Sequence, residues 1–307
     1  MIIPGQDPKG GTAMDRKHPN RIERRDFVKL SVGAVMVRPA LSQGSSARTQ
    51  EVSDSKIRNW RESMSYRQLG RTGIECSRLV FGCGAALAGG KAVRLLDRAF
   101  EAGINCYDVG SDIYYKGSER SLAPFLKEHR DQIWVISKAP TSFRGKADDE
   151  ISVGQAREAA SYWTRLLEAS LKDLKTDHVD AYSLMAVNNA SLVRSEEIGD
   201  AFRKAKVAGK IGHFGLSTHN NAQAVLRAAV ETGWYDLAMI GVTPGGWYDW
   251  DSKDLEKGTP SLVALEPFLK GLREDGLGLI GMKAVRHIAP KAALGKGDPT
   301  AFDQHYD

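Results

Sequence analysis

From Tyr66 onward the chain alternates two kinds of apolar pattern, and that alternation limits its fold more than any other feature. Short continuous apolar runs occupy residues 78–82, 104–108, 133–138, 178–185, 213–218, 237–242 and 278–283. Runs of this kind suit strands buried on both faces, as in a parallel sheet. Helical stripes lie between them. Val93, Leu96 and Phe100 form one. Trp163, Leu166, Leu167, Ser170, Leu171 and Leu174 form the most regular. Val225, Leu226 and Ala229 make a third, and Leu262, Leu265, Phe268, Leu269 and Leu272 a fourth. Gly103, Gly209 and Gly233 stand where helix C-terminal caps belong.

Repeated strand–helix alternation builds either a doubly wound open sheet or a (β/α) barrel. The 307 residues, 42% of them hydrophobic, are ample for a barrel of roughly 250 residues. The first strand run is followed by Gly82-Cys83-Gly84, a bare G-x-G and not a full dinucleotide fingerprint. Periodicity alone leaves both architectures open.

The net charge is +5, and part of the excess sits in Arg16, Lys17, Arg21, Arg24, Arg25 and Lys29. No basic stripe with interleaved aromatics follows, so a nucleic-acid partner is not expected. Cys76, Cys83 and Cys106 show neither disulfide-framework nor zinc spacing, and no metal site is expected. Cys83 and Cys106 lie in apolar runs and read as small buried hydrophobes.

Glu23-Arg24-Arg25-Asp26-Phe27-Val28-Lys29-Leu30 is a twin-arginine pattern. An apolar stretch over residues 30–37 follows, then Pro39-Ala40-Leu41-Ser42 and small residues through Ala47. These are the three parts of an export signal. Residues 1–50 are therefore expected to be a signal and linker read by the twin-arginine export machinery, with cleavage between Ala40 and Ala47. The folded protein would then work in the periplasm or elsewhere outside the cytoplasm. A disordered basic N-terminus on a cytoplasmic protein is the alternative, because Arg38 cuts the apolar stretch short. That stretch falls far below the roughly 20 residues that span a bilayer.

Several segments, in order, resemble the aldo-keto reductase family. Tyr66-Arg67-Gln68-Leu69-Gly70-Arg71-Thr72-Gly73 is similar to its opening hairpin, and Ser77-Arg78-Leu79-Val80-Phe81-Gly82-Cys83-Gly84 to its first barrel strand. Ala102-Gly103-Ile104-Asn105-Cys106-Tyr107-Asp108 resembles the second strand, with Ser111-Asp112-Ile113-Tyr114 and Gly117-Ser118-Glu119 after it. Lys138 ends the third run, and Leu171-Lys172-Asp173-Leu174 with His178-Val179-Asp180-Ala181-Tyr182 leads into the fourth. Residues 209–218 resemble the fifth strand, and Gly281-Met282-Lys283 the end of the seventh. The resemblance implies a TIM-type (β/α)8 barrel domain over residues 64–307. After Lys283 the sequence reads as a loop or broken helix, so the last β/α unit is expected to be lacking.

The resemblance also implies an NAD(P)-dependent oxidoreductase that reduces a small-molecule carbonyl (aldehyde, ketone or sugar-like), with NADP(H) favoured over NAD(H). Such a site uses a Tyr as proton donor, a Lys beside it and an Asp on the Lys. The ammonium is expected to pull the phenol's pKa down from about 10. By position these are Asp108, Tyr114 and Lys138, with Tyr115 the competing donor. Gly82, Cys83, Asp108, Ser217, Thr218 and Lys283 are the expected cofactor contacts. Met185 stands where the family usually has a His, and a thioether cannot donate a proton. His219 and His287 are candidate substitutes. The alternative to an active reductase is a catalytically impaired or non-enzymatic barrel that binds a ligand or partner.

Overall fold

The computed structural model describes residues 57–286. The twin-arginine segment, its cleavage window and His287 lie outside the described residues, as does most of the stretch expected to replace a last β/α unit.

The chain enters through a hairpin. Strands β1 (Tyr66–Gln68) and β2 (Glu75–Ser77) pair antiparallel, with Tyr66 opposite Ser77. The turn between them needs glycine at Gly70. Its φ is 55°, and a Cβ there would stand 2.3 Å from the Gly278 backbone nitrogen. Arg71 fastens the hairpin from outside, donating to Asp236 at 2.9 Å and to the Gly233 and Tyr235 carbonyls. Ordered contacts begin before the expected boundary at residue 64. Arg58 donates to the Ile133 carbonyl, and Asn59 to the Phe100 and Ile104 carbonyls.

The main sheet follows. Strands β3 (Phe81–Gly82), β4 (Cys106–Asp108), β5 (Trp134–Ala139), β6 (Val179–Leu184), β7 (Ile211–Thr218) and β8 (Leu237–Thr243) lie parallel in chain order. A short antiparallel excursion, β9 (Gly246–Asp249) and β10 (Asp254–Leu255), extends from the end of β8. Strand β11 (Gly278–Met282) returns parallel to β8, with Ile280 opposite Met239. Helices Leu95–Glu101, Ser118–His129, Val153–Leu174, Glu196–Val207, Ala222–Thr232 and Leu262–Glu274 fill the crossovers. The longest starts at a capping box, in which Ser152 accepts from the Gln155 amide and Gln155 accepts from Ser152.

The period-two alternation of strands sorts the core into two faces. Cys106, Ile136, Ala181, Leu237, Met239 and Ile280 face the inside of the curl, where Leu69, Ile74 and Cys76 of the hairpin form the floor. Tyr107, Val135, Tyr182, Phe214, Ala238 and Ile240 face outward onto helical residues such as Trp163, Phe202 and Leu226. This is the (β/α)8 class of α/β fold, with seven parallel strands inside the described residues. Among those residues β3 and β11 do not pair. A cavity of about 670 Å³ lies between β11 and the opening hairpin, lined by Val80, Leu279 and Gly281 and by Leu69 and Gly70 of the hairpin. No described helix is long and apolar enough to cross a membrane.

Candidate active site

Asp108 stands two residues beyond Cys106, and Lys138 two beyond Ile136, so both side chains point inward at the C-terminal ends of β4 and β5. That end of a barrel is where loops gather around a ligand. The two side chains meet. Lys138 Nζ donates to both Asp108 carboxylate oxygens at 2.7 Å and to the Val109 carbonyl at 2.7 Å. Both residues are buried. Burial pushes the Asp108 carboxyl up from its ordinary value, against the opposing pull of Lys138. A buried pair this close is costly to split, because the partner left behind would be an uncompensated charge.

The tyrosines part company. Both lie on the short helix Asp112–Tyr115 after β4. Tyr114 is 51% exposed. Tyr115 is half-buried, with its ring so close to Gly84 and Gly110 that a Cβ at either glycine would come within 2.8 Å. The Lys138 stem meets the same Gly110, and Lys138 Nζ lies 5.7 Å from the Tyr115 ring centroid. The structure thus sets Tyr115, not Tyr114, against the buried ion pair. The expected depression of the phenol's pKa is not found. Burial raises the Tyr115 phenol well above its usual value, and the Asp108 carboxylate adds to the rise. The Lys138 ammonium, held on Asp108, does not offset this rise.

Glu119 braces the loop that carries Tyr115. It accepts from Ser137 at 2.6 Å and from the Asp112 amide, while its own amide donates to the Asp112 carboxylate. Burial holds its carboxyl up at about 7. Its sequence setting, a Gly-Ser-Glu at a helix start, gave no sign of this bracing contact.

The expected cofactor residues are distributed around the same end of the sheet. Gly82 is exposed, whereas Cys83 is wholly buried, with its thiol against the Phe81 carbonyl. Ser217 is buried and accepts from the Ala186 amide at 2.9 Å. Thr218 is buried and donates to the Asn220 carbonyl at 3.1 Å. Met185 is buried just past β6, its amide donating to Ala139, and Ala186 next to it has a φ of 54°. Lys283 follows β11 with a φ of 74°. Burial first, then the charges of Arg286, Lys253 and Lys138, bring its ammonium down to about 8.

Trp250, Lys253 and Tyr248, none of them singled out in the sequence, gather near Lys283, together with the expected candidate His219. The β9–β10 hairpin carries Trp250 and Lys253, and its Tyr248 hydroxyl accepts from Arg286 at 3.2 Å. His219, after β7, lies 5.3 Å ring to ring from Trp250. Burial, then the Lys283, Lys253 and Lys138 charges, hold the His219 imidazole down at about 4, so it is neutral near pH 7. Its Nε2 is buried without a hydrogen-bond partner among the described residues. Among those residues no group of three His, Cys, Asp or Glu is placed to hold a metal ion.

The strand ends of this (β/α)8 sheet thus gather a buried lysine–carboxylate pair, a packed tyrosine and a group of cations. Residues 80–244 match the model of the aldo/keto reductase family. The chain belongs to that family. It is 27% identical over 215 residues to the uncharacterized oxidoreductase YqkF of Bacillus subtilis, spanning 68% of this chain and 66% of that one. It is 26% identical to the norsolorinic acid reductase stcV of Emericella nidulans over 67% of this chain and 48% of that one. The chain spans about half to two thirds of the length of the curated relatives it matches. A holo-form aldo-keto reductase structure from Bacillus halodurans superposes with a TM-score of 0.54, at 23% identity, over 71% of this chain and 65% of that one.

Proposed function

We propose that this chain is an NAD(P)-dependent oxidoreductase that reduces a small-molecule carbonyl, with Tyr115 as the proton donor. The observation that carries the reading is the Lys138–Asp108 pair packed with the Tyr115 ring against Gly110. The pair fixes an ammonium beside the phenol, and Asp108 keeps it charged and in place. The raised phenol pKa keeps the donor protonated until a basic oxygen arrives. Met185 cannot orient that oxygen. The neutral His219 imidazole, at the same end of the sheet, supplies a polar group in its stead.

The residues present suit a dinucleotide. Lys253 and Lys283 make no ion pair with a carboxylate among the described residues, which fits an anionic guest. Lys283 would face the cofactor's phosphates, and Ser217, Thr218 and the exposed edge at Gly82 its nicotinamide end. When bound, the cofactor supplies the hydride. The reading favours NADP(H) over NAD(H). Titration with NADPH, followed by tryptophan quenching, tests it: saturable binding together with turnover of an aldehyde is expected. No binding at millimolar cofactor would leave the impaired-barrel reading, which Met185 favours.

The twin-arginine pattern supports export of the folded chain from the cytoplasm. Replacing both arginines (Arg24→Lys and Arg25→Lys) should hold the protein in the cytoplasmic fraction if the pattern is functional.

A further inference from the structure

The opening hairpin brings together two cysteines that stand far apart in the chain, and Asn105 ties them. Its side chain accepts from the Ser77 amide at 2.8 Å and donates to the Glu75 carbonyl at 2.9 Å, while its own amide donates to the Ser77 hydroxyl at 3.2 Å. Strand β2 is thus fastened alongside the start of β4. Cys76, between Glu75 and Ser77, and Cys106, next to Asn105, both project into the cluster at the barrel floor. Their thiols hydrogen-bond to each other. Cys83 packs in the other core layer, against the Phe81 carbonyl. The paired thiols differ in access. Cys106 is wholly buried, whereas Cys76 is 6% exposed and lines the cavity of about 670 Å³ between β11 and the hairpin. A cavity of that size admits a water-sized solute. The hydrogen bond with Cys76, and then burial, hold the Cys106 thiol well above its ordinary value, so it stays protonated near pH 7.

We propose that Cys76 and Cys106 are a redox pair: a peroxide entering the cavity oxidises Cys76, and Cys106 then closes a disulfide that staples the hairpin to β4. In the first step the Cys76 sulfur attacks one peroxide oxygen and the O–O bond breaks. The thiol proton leaves with the released oxygen as water, and Cys76 becomes a sulfenic acid. In the second step the Cys106 sulfur attacks Cys76 Sγ and the S–O bond breaks. The Cys106 proton leaves with the hydroxyl as a second water. Two thiols and one hydrogen peroxide thus give one disulfide and two waters. The bond closes a loop of about 30 residues in the unfolded chain, which favours the folded state. The pair does not rest on the reductase reading.

The test treats the purified, reduced full-length chain with hydrogen peroxide, blocks the remaining thiols in urea and maps tryptic peptides without reductant. Trypsin leaves Cys76, Cys83 and Cys106 on separate peptides, residues 72–78, 79–91 and 99–116. The expected product is 72–78 linked to 99–116, reversible by dithiothreitol, with a higher thermal midpoint than the reduced chain. A chain unfolded in urea before the peroxide should instead join 72–78 to 79–91, the nearest pair in sequence. In Cys106→Ser, dimedone should trap the sulfenic acid on Cys76. A folded chain in which 72–78 stays unlinked, or joins 79–91, overturns the pair. A link that leaves the midpoint unmoved overturns the staple. Dimedone labelling of Cys106 in Cys76→Ser as fast as that of Cys76 in Cys106→Ser overturns the cavity as the peroxide's route.

Discussion

The choice between two adjacent tyrosines turns on packing that spacing cannot show. Tyr114 fits the Ser-Asp-Ile-Tyr pattern, but Tyr115 is the ring wedged between Gly84 and Gly110 beside Lys138. Tyr115→Phe should cut carbonyl turnover by roughly 10²–10⁴-fold, as loss of a general acid does. Tyr114→Phe should leave turnover near wild type, and steady-state rates on one aldehyde decide between them. Glu119 makes a different prediction. Its folded carboxyl titrates at about 7, against roughly 4.3 in an unfolded chain. A carboxyl raised on folding stabilises fully below the unfolded value and loses that contribution as pH rises through the folded one. Between about pH 4.5 and 7 the wild type should therefore lose up to about 3 kcal/mol that Glu119→Gln does not lose. Urea unfolding of both proteins at the two ends of that range measures it.

At the level of elements, the seven apolar runs all became parallel strands, and Asp108 and Lys138 met as their positions implied. Those features are local, set by period and by place along a strand. The ends were less legible. The run at 78–82 yields only Phe81–Gly82 as strand, because β3 is paired on β4 alone. The β9–β10 hairpin with Trp250 and Lys253 was not legible, since its strands are short and its role comes from β7 and β11 arriving beside it. Lys283 was legible by position, but not the indole it shares. The opening hairpin was foreseen, and Gly70 shows what holds it in place. Gly70→Ala should cost at least about 2 kcal/mol, from strained backbone and a collision with β11. A fall in thermal midpoint checks it, with Gly73→Ala (also at positive φ but with no neighbour within 4 Å) as the milder control.

Across the whole molecule, protection should follow position in the sheet. Strand β6 has a hydrogen-bonded neighbour on each side, while β3 and β11 each have one among the described residues. Hydrogen exchange should therefore be slowest in β6 and faster at β3 and β11, since strands with fewer partners open at lower free energy. Equal protection across the sheet would contradict this. Among the described residues, the separation of β3 from β11 also divides the mouth of the barrel into two banks. Asp108 stands on the strand beside one bank and Lys283 just past the strand that forms the other. Among the described residues, the backbone ladder joins the banks only by the long way round, through β5 to β8. Flexing of that arc, like a pair of tongs, would alter the span between the Asp108 corner and the Lys283 corner while every rung of the described ladder stays intact.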